Sequence, residues 1–321
     1  MSMYLEQARV DDLDLTTIFC GVTLPNPIVL ASGILGTSAA LMARVAEGGA
    51  GAVTAKSCSL APRAGHPNPT VLDWGGGFIN AVGLANPGVE EEIAILQATR
   101  QRLQEAGQGV KLVASIFGTT VEDYAMLAER INEAQPDLLE VNISCPNVHD
   151  ELARPFAASG PAAAAVTRAV KRATTIPIVV KLSPNVADIA EIARAVEDAG
   201  ADAIAAINTV AGMAIDIRAR RPILANREGG LSGPAIKPVA VRCIYQCYQA
   251  IKIPILGIGG VSSGEDAAEL LMAGATLIGV GSAVHSRGVA ALGQVCDELA
   301  QFMAAEGFDR VADLVGLAHR R

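Results

Sequence analysis

The chain has 321 residues, 51% hydrophobic and 18% charged, so it holds ample apolar material for a full core and is not a disordered chain. A net charge of -8 and an aromatic content of 3% exclude a general basic surface and base-stacking platforms for nucleic acid. No apolar stretch reaches the roughly 20 residues that a membrane helix needs.

In chain order, the N-terminal MSMYLEQARVDDLDL is acidic and lacks the apolar segment of a secretion signal. The six cysteines, at 20, 58, 145, 243, 247 and 296, are therefore read as reduced thiols of a cytoplasmic protein. Residues 1–27 are expected to cover the bottom of the fold or to pair as a small hairpin. Eight short apolar strands follow, near 28–32, 52–56, 111–117, 138–143, 177–182, 203–208, 254–259 and 276–281. None alternates cleanly, as is usual for strands buried on both faces. A weak repeat supports them. Helix end, Gly-Ala and apolar strand recur at Gly49, Gly200 and Gly274, 151 and 74 residues apart, multiples of a unit of roughly 38 residues that suits one strand and one helix.

Between the strands, Val186, Ile189, Ala190, Ala193 and Val196 mark one helix face. Thr120…Asp123 and Ser262…Glu265 read as capping boxes, and Gly200 and Gly274 as helix stops. Cys243 and Cys247, four apart on a predicted helix, read as core residues. Eight such units close as an α/β (β/α)8 TIM barrel, a single domain over 1–321. An open doubly wound sheet is the alternative, but Ser32-Gly33-Ile34-Leu35-Gly36 matches its glycine fingerprint poorly. Long connections follow strands 2, 4 and 6, at 57–88, 145–158 and 209–235, all at C-terminal strand ends, where a barrel keeps its site.

Those ends offer Ser32, Lys56-Ser57, Ser115, Asn142 with Cys145, Lys181, Asn208-Thr209, Gly259-Gly260 and Gly281-Ser282. Clear carboxylates are absent from this set, and Glu140 lies within a strand. That argues against enolisation at a metal and against glycoside hydrolysis. His66, His149, His285 and His319 lack ligand spacing. The paired glycines after the last two strands suit a phosphate held by backbone N–H groups, although glycines there also serve tight turns. Two lysines without a carboxylate imply an electron-rich ligand. Cys145, beside Pro146 in a polar loop, suits a base, and a Cys145–His149 nucleophile pair is a further reading. Amides at 80, 142, 147 and 208 are suited to a ring of alternating C=O and N–H groups. A Schiff-base sugar-phosphate enzyme at Lys56 or Lys181 and a non-catalytic phosphate-binding barrel are the rival readings.

Several motifs then fall into one order. They are Ala55-Lys56-Ser57, Ile79-Asn80-Ala81-Val82-Gly83-Leu84, Asn142-Ile143-Ser144-Cys145-Pro146-Asn147, Val180-Lys181-Leu182, Asn208-Thr209, Gly229-Gly230-Leu231-Ser232-Gly233-Pro234 and Gly257-Ile258-Gly259-Gly260. Over roughly residues 15 to 305 the chain resembles dihydroorotate dehydrogenases. The cysteine of the Asn-Ile-Ser-Cys-Pro-Asn motif marks class 1, and Arg221 to Asn226 before Gly-Leu-Ser-Gly-Pro looks most like class 1B, the NAD-linked branch. The resemblance implies FMN, and oxidation of (S)-dihydroorotate to orotate in de novo pyrimidine (UMP) synthesis. Cys145 would take the C5 proton, and the C6 hydride would pass to flavin N5. Lys56, Asn80, Ala81, Val82, Gly83, Leu84, Asn142, Asn147, Asn208 and Thr209 would hold the substrate. Ser32, Lys56, Ser57, Ser115, Asn142, Lys181, Ile207, Gly233, Gly259, Gly260, Gly281 and Ser282 would hold FMN. Ser115 stands where the family often has asparagine. The chain has neither an NAD fingerprint nor a cluster motif, so FAD and a 2Fe–2S cluster would belong to a partner subunit passing electrons to NAD⁺. A homodimer, or a heterotetramer with that subunit, is implied. A related flavin domain acting on pyrimidine bases reads a similar ring and is the alternative.

Overall fold

In the computed structural model, which describes residues 10, 13–143 and 156–320, the first strands form a hairpin. β1 (Thr17–Phe19) pairs antiparallel with β2 (Val22–Leu24). Phe19 and Leu24 are fully buried and cluster with Val29, Val113, Leu138 and Leu277, which lie at or near the starts of the strands that follow. The hairpin therefore plugs the N-terminal end of those strands, and both expectations for residues 1–27 hold for its described part.

Those strands are β3 (Ile28–Leu30) and β4 (Ala52–Thr54), then, after β5 (Val71–Asp73) and β6 (Phe78–Asn80) in a loop, β7 (Lys111–Ile116), β8 (Leu138–Asn142), β9 (Ile178–Lys181) and β10 (Ala203–Ala206). The loop after β10 carries β11 (Val210–Met213), β12 (Ile215–Asp216), β13 (Arg221–Pro222) and β14 (Glu228–Ser232), and β15 (Ile255–Ile258) and β16 (Leu277–Val280) complete the set. β3, β4, β7, β8, β9, β10, β15 and β16 close a parallel barrel, with Ile278 of β16 opposite Ile28 of β3. Helices pack around it, so the fold is a (β/α)8 barrel. Each barrel strand lies inside its expected span. Side chains alternate between two apolar environments, which is why the sequence shows no polar face. Val113, Leu138 and Val179 point inward, whereas Leu112, Leu139 and Val180 meet the helices.

Local signals mostly behave as expected. Thr120 caps the helix Val121–Ile131 in a reciprocal box with Asp123. Gly200 and Gly274 follow their helices at φ +98° and +120°. Cys243 and Cys247 are buried in the helix Lys237–Ala250. The helix Ile189–Asp198 buries Ile189, Ala193 and Val196 as expected, but Ile192 in place of Ala190, and Val186 precedes the helix because Asp188 caps it. The second capping box is corrected by one residue. Ser263 and Asp266 form it, Ser263 Oγ accepting from the Asp266 N–H at 3.2 Å and the Asp266 carboxylate accepting from the Ser263 N–H at 3.0 Å. No helix among the described residues is long and apolar enough to cross a membrane.

The helix Val89–Ala106 carries one misfit. Glu92 is 1% exposed, and among the described residues neither carboxyl oxygen has a hydrogen-bond partner. Burial pushes its pKa from 4.5 up to about 8, against a smaller opposing pull from Lys56. The folded protein thus keeps a proton that the unfolded chain releases. Because the folded-state value is raised, this contribution is intact below about pH 4.5 and is lost as pH rises through about 8. Glu92→Gln should match the native protein near pH 5 and be more stable by roughly 2–4 kcal/mol near pH 9. Urea unfolding at the two pH values measures this, and a pH-independent difference would show that Glu92 is not the titrating group.

Candidate active site

The loops after β4 and β10 are not open connections. Four of their strands form one antiparallel sheet over the barrel mouth, in the order β11-β14-β6-β5. Asn80 lies opposite Gly230, and Leu231 opposite Val210. The Asn80 amide donates to the Gly230 carbonyl at 3.3 Å. On the same residue, a Cβ would come within 2.0 Å of Thr209 Oγ1. Asn80 and Thr209 thus meet across Gly230, and Asn208 Oδ1 accepts from the Thr209 N–H at 2.7 Å. Ala81 to Leu84 are fixed from behind. His66 Nδ1 lies 3.0 Å from the Ala81 carbonyl, Arg63 donates to Gly83 at 2.8 Å and Asn86 to Leu84 at 2.8 Å. Asn185 donates to the Thr209 carbonyl at 3.0 Å and accepts from the Ala211 N–H at 2.9 Å. The sequence does not mark Arg63, Asn86 or Asn185 as site residues. Pro184-Asn185 and Asn86-Pro87 carry only a turn signal.

Below this sheet lies a polar layer within the barrel. Glu140 Oε1 accepts from Ser115 Oγ at 2.7 Å, and Oε2 lies 3.5 Å from Lys181 Nζ. Lys181 Nζ donates to Ser32 Oγ at 2.8 Å. Ser115 and Ser57 hydroxyls are 2.8 Å apart, and the Asn142 amide donates to Ser57 at 3.3 Å. Tyr124 donates its hydroxyl to the Asn142 carbonyl at 2.8 Å. Strand pairing produces this layer, since Ser115 is opposite Glu140 and Asn142 opposite Lys181. The expectation that the mouth lysines have no carboxylate is corrected here. Glu140 points inward and pairs with Lys181, because residues 140 and 142 share a face at the two-residue period of a strand. Ser115 is 1% exposed, and its hydroxyl is engaged on both sides.

At the ends of β15 and β16, Gly260 has φ +77°, and a Cβ there would come within 2.8 Å of the Lys237 nitrogen. The backbone requires glycine at this point. Among the described residues, no protein acceptor meets the N–H groups of Gly260, Gly281 or Ser282. Further along, the N–H groups of Ser262 and Ser263 are taken by Asp266 and that of Gly264 by Glu298. A cavity of about 330 Å³ lies alongside, lined by Gly77, Gly233, Ser262, Ser282 and Ser286 among others. These donors suit a phosphate group. Ile207 and Gly259 are buried beside them.

Of the thiols, burial pushes Cys20, Cys247 and Cys296 up to about 12, and Cys58 higher. None of these is poised as a base. Cys145, Asn147 and His149 lie outside the described residues. His285 packs edge-on against Phe78, and His319 stacks on Tyr245. Among the described residues no three His, Cys, Asp or Glu side chains gather as a metal site.

The family model for dihydroorotate dehydrogenase matches residues 14–303. The chain is 46% identical over 305 residues to a protein of Methanocaldococcus jannaschii named dihydroorotate dehydrogenase B (NAD(+)), catalytic subunit, covering 95% of this chain and 98% of that one. Proteins of the same name from Methanosarcina mazei and Geobacter metallireducens are 47% and 44% identical, covering 93% and 94% of this chain and 93% and 97% of their own lengths. With a matched span that runs from the plugging hairpin to the last long helix, the chain belongs to the dihydroorotate dehydrogenase family.

Proposed function

We infer that this chain is the catalytic subunit of a class 1B dihydroorotate dehydrogenase, which oxidises (S)-dihydroorotate to orotate in pyrimidine biosynthesis. The observation that carries this reading is the convergence at one barrel mouth of Lys181, Asn142 and Ser57 below and of Asn80 and Thr209 above. FMN suits the residues present. The N–H groups of Gly260, Gly281 and Ser282 take its phosphate, with Gly233, Gly259 and Ile207 beside them. Ser32, Lys56, Ser57, Asn142 and Lys181 meet its ring, and Ser115 acts through Ser57. When bound, FMN supplies a two-electron acceptor.

The chain's own residues do the rest. Lys56 meets the substrate carboxylate. Asn80, Asn142, Asn147, Asn208 and Thr209 read the ring amides and carbonyls, and Ala81 to Leu84 close over it. Cys145 removes the C5 proton. The mouth sheet excludes water and fixes the ring against the cofactor. The whole chain acts as one FMN-binding domain in the cytoplasm. It pairs as a homodimer, joined by a subunit bearing FAD and a 2Fe–2S cluster that passes electrons to NAD⁺.

The purified protein should be yellow and should bleach when dihydroorotate is added without oxygen. Bleaching by dihydrouracil but not by dihydroorotate would move the chain to the pyrimidine-base branch. A colourless protein trapped by borohydride with an aldehyde substrate would mean Schiff-base chemistry at a lysine.

A further inference from the structure

We propose that Glu140 is a positioning residue for Lys181, and that by partly neutralising this lysine it holds down the reduction potential of the bound flavin. The inference rests on the FMN reading above.

Glu140 is 1% exposed, and both of its oxygens face partners, Ser115 at 2.7 Å and Lys181 at 3.5 Å. A carboxylate only accepts hydrogen bonds, so it sets the direction of every link behind it. Ser115 donates to Glu140, Ser57 therefore donates to Ser115, and Asn142 donates to Ser57. On the other side Lys181 is stretched between Glu140 and Ser32. One carboxylate thus orders the polar groups at the ends of β3, β4, β7, β8 and β9. Stability alone does not call for it, because apolar residues of equal volume commonly replace a buried ion pair without loss.

The charge has a use. A flavin ring gains negative charge on reduction, and a nearby cation favours the reduced form. Lys181 supplies that cation. Glu140 draws it back into the barrel and cancels part of its field, in a buried layer where water screens little. The result is a lower potential, which suits a donor whose electrons end on a nicotinamide.

The test uses FMN-loaded native protein, Glu140→Gln and Glu140→Asp. Midpoint potentials are read by anaerobic dye titration, and sulfite affinity by flavin bleaching, both without substrate. Glu140→Gln should tighten sulfite about tenfold and raise the potential by about 30 mV, the two-electron equivalent of tenfold. Glu140→Asp keeps the charge on a shorter stem and should shift both readings the same way by less, so it carries the test if the amide variant does not fold. A merely structural Glu140 would reduce FMN occupancy and melting temperature and leave the potential of the bound fraction unchanged. Unchanged or lowered potentials in FMN-loaded variants overturn the inference while the cofactor reading stands. Native protein that takes up no FMN overturns that reading, and the inference with it.

Discussion

Cys145→Ser is expected to slow flavin reduction by dihydroorotate by about 10²–10⁴-fold at pH 7 while FMN and orotate still bind. A thiol ionises near pH 8.5, so a working fraction of thiolate exists close to neutrality, whereas a serine hydroxyl remains protonated. The native rate should therefore climb with pH and level off as the thiol ionises. The serine rate should go on climbing beyond that point. No described cysteine is placed to substitute. Cys58, two residues past Lys56, is fully buried, and burial raises its pKa steeply. Anaerobic stopped-flow traces of the flavin band across pH measure both rates. A variant reduced at the native rate at pH 7 would remove Cys145 from the proton step.

What the sequence discloses and what it hides follow from how each feature is encoded. The barrel strands are legible because burial on both faces leaves short apolar runs, three of them entered by Gly-Ala at multiples of one repeat length. The site motifs are legible because Asn142 to Asn147 and Gly229 to Pro234 are specific strings. The sheet over the mouth is not legible. Asn80 and Gly230 are 150 residues apart, and nothing local tells β6 that its partner is β14. Glu140 falls between these cases. Its inward direction follows from Asn142 by strand alternation, but its partner depends on the register between β8 and β9, which only the closed barrel fixes. In one dimension Lys181 therefore reads as a lysine without a carboxylate.

That pairing leads to a large effect on the apoprotein. Lys181→Met keeps the length of the stem and removes the charge, leaving Glu140 buried with, among the described residues, only the Ser115 hydroxyl to meet it. Breaking one side of a buried pair strands the other charge, and the expected loss is about 3–5 kcal/mol in FMN-free protein. Combining Lys181→Met with Glu140→Gln removes the stranded charge, since a neutral amide needs no counter-ion. The double variant should then recover at least about 1 kcal/mol relative to the sum of the single changes. Urea unfolding of the four proteins without FMN closes this cycle, independently of any redox measurement. Additive losses would mean that the 3.5 Å approach of Lys181 to Glu140 carries no coupling, and the charge on Lys181 would then reach a bound ring undiminished.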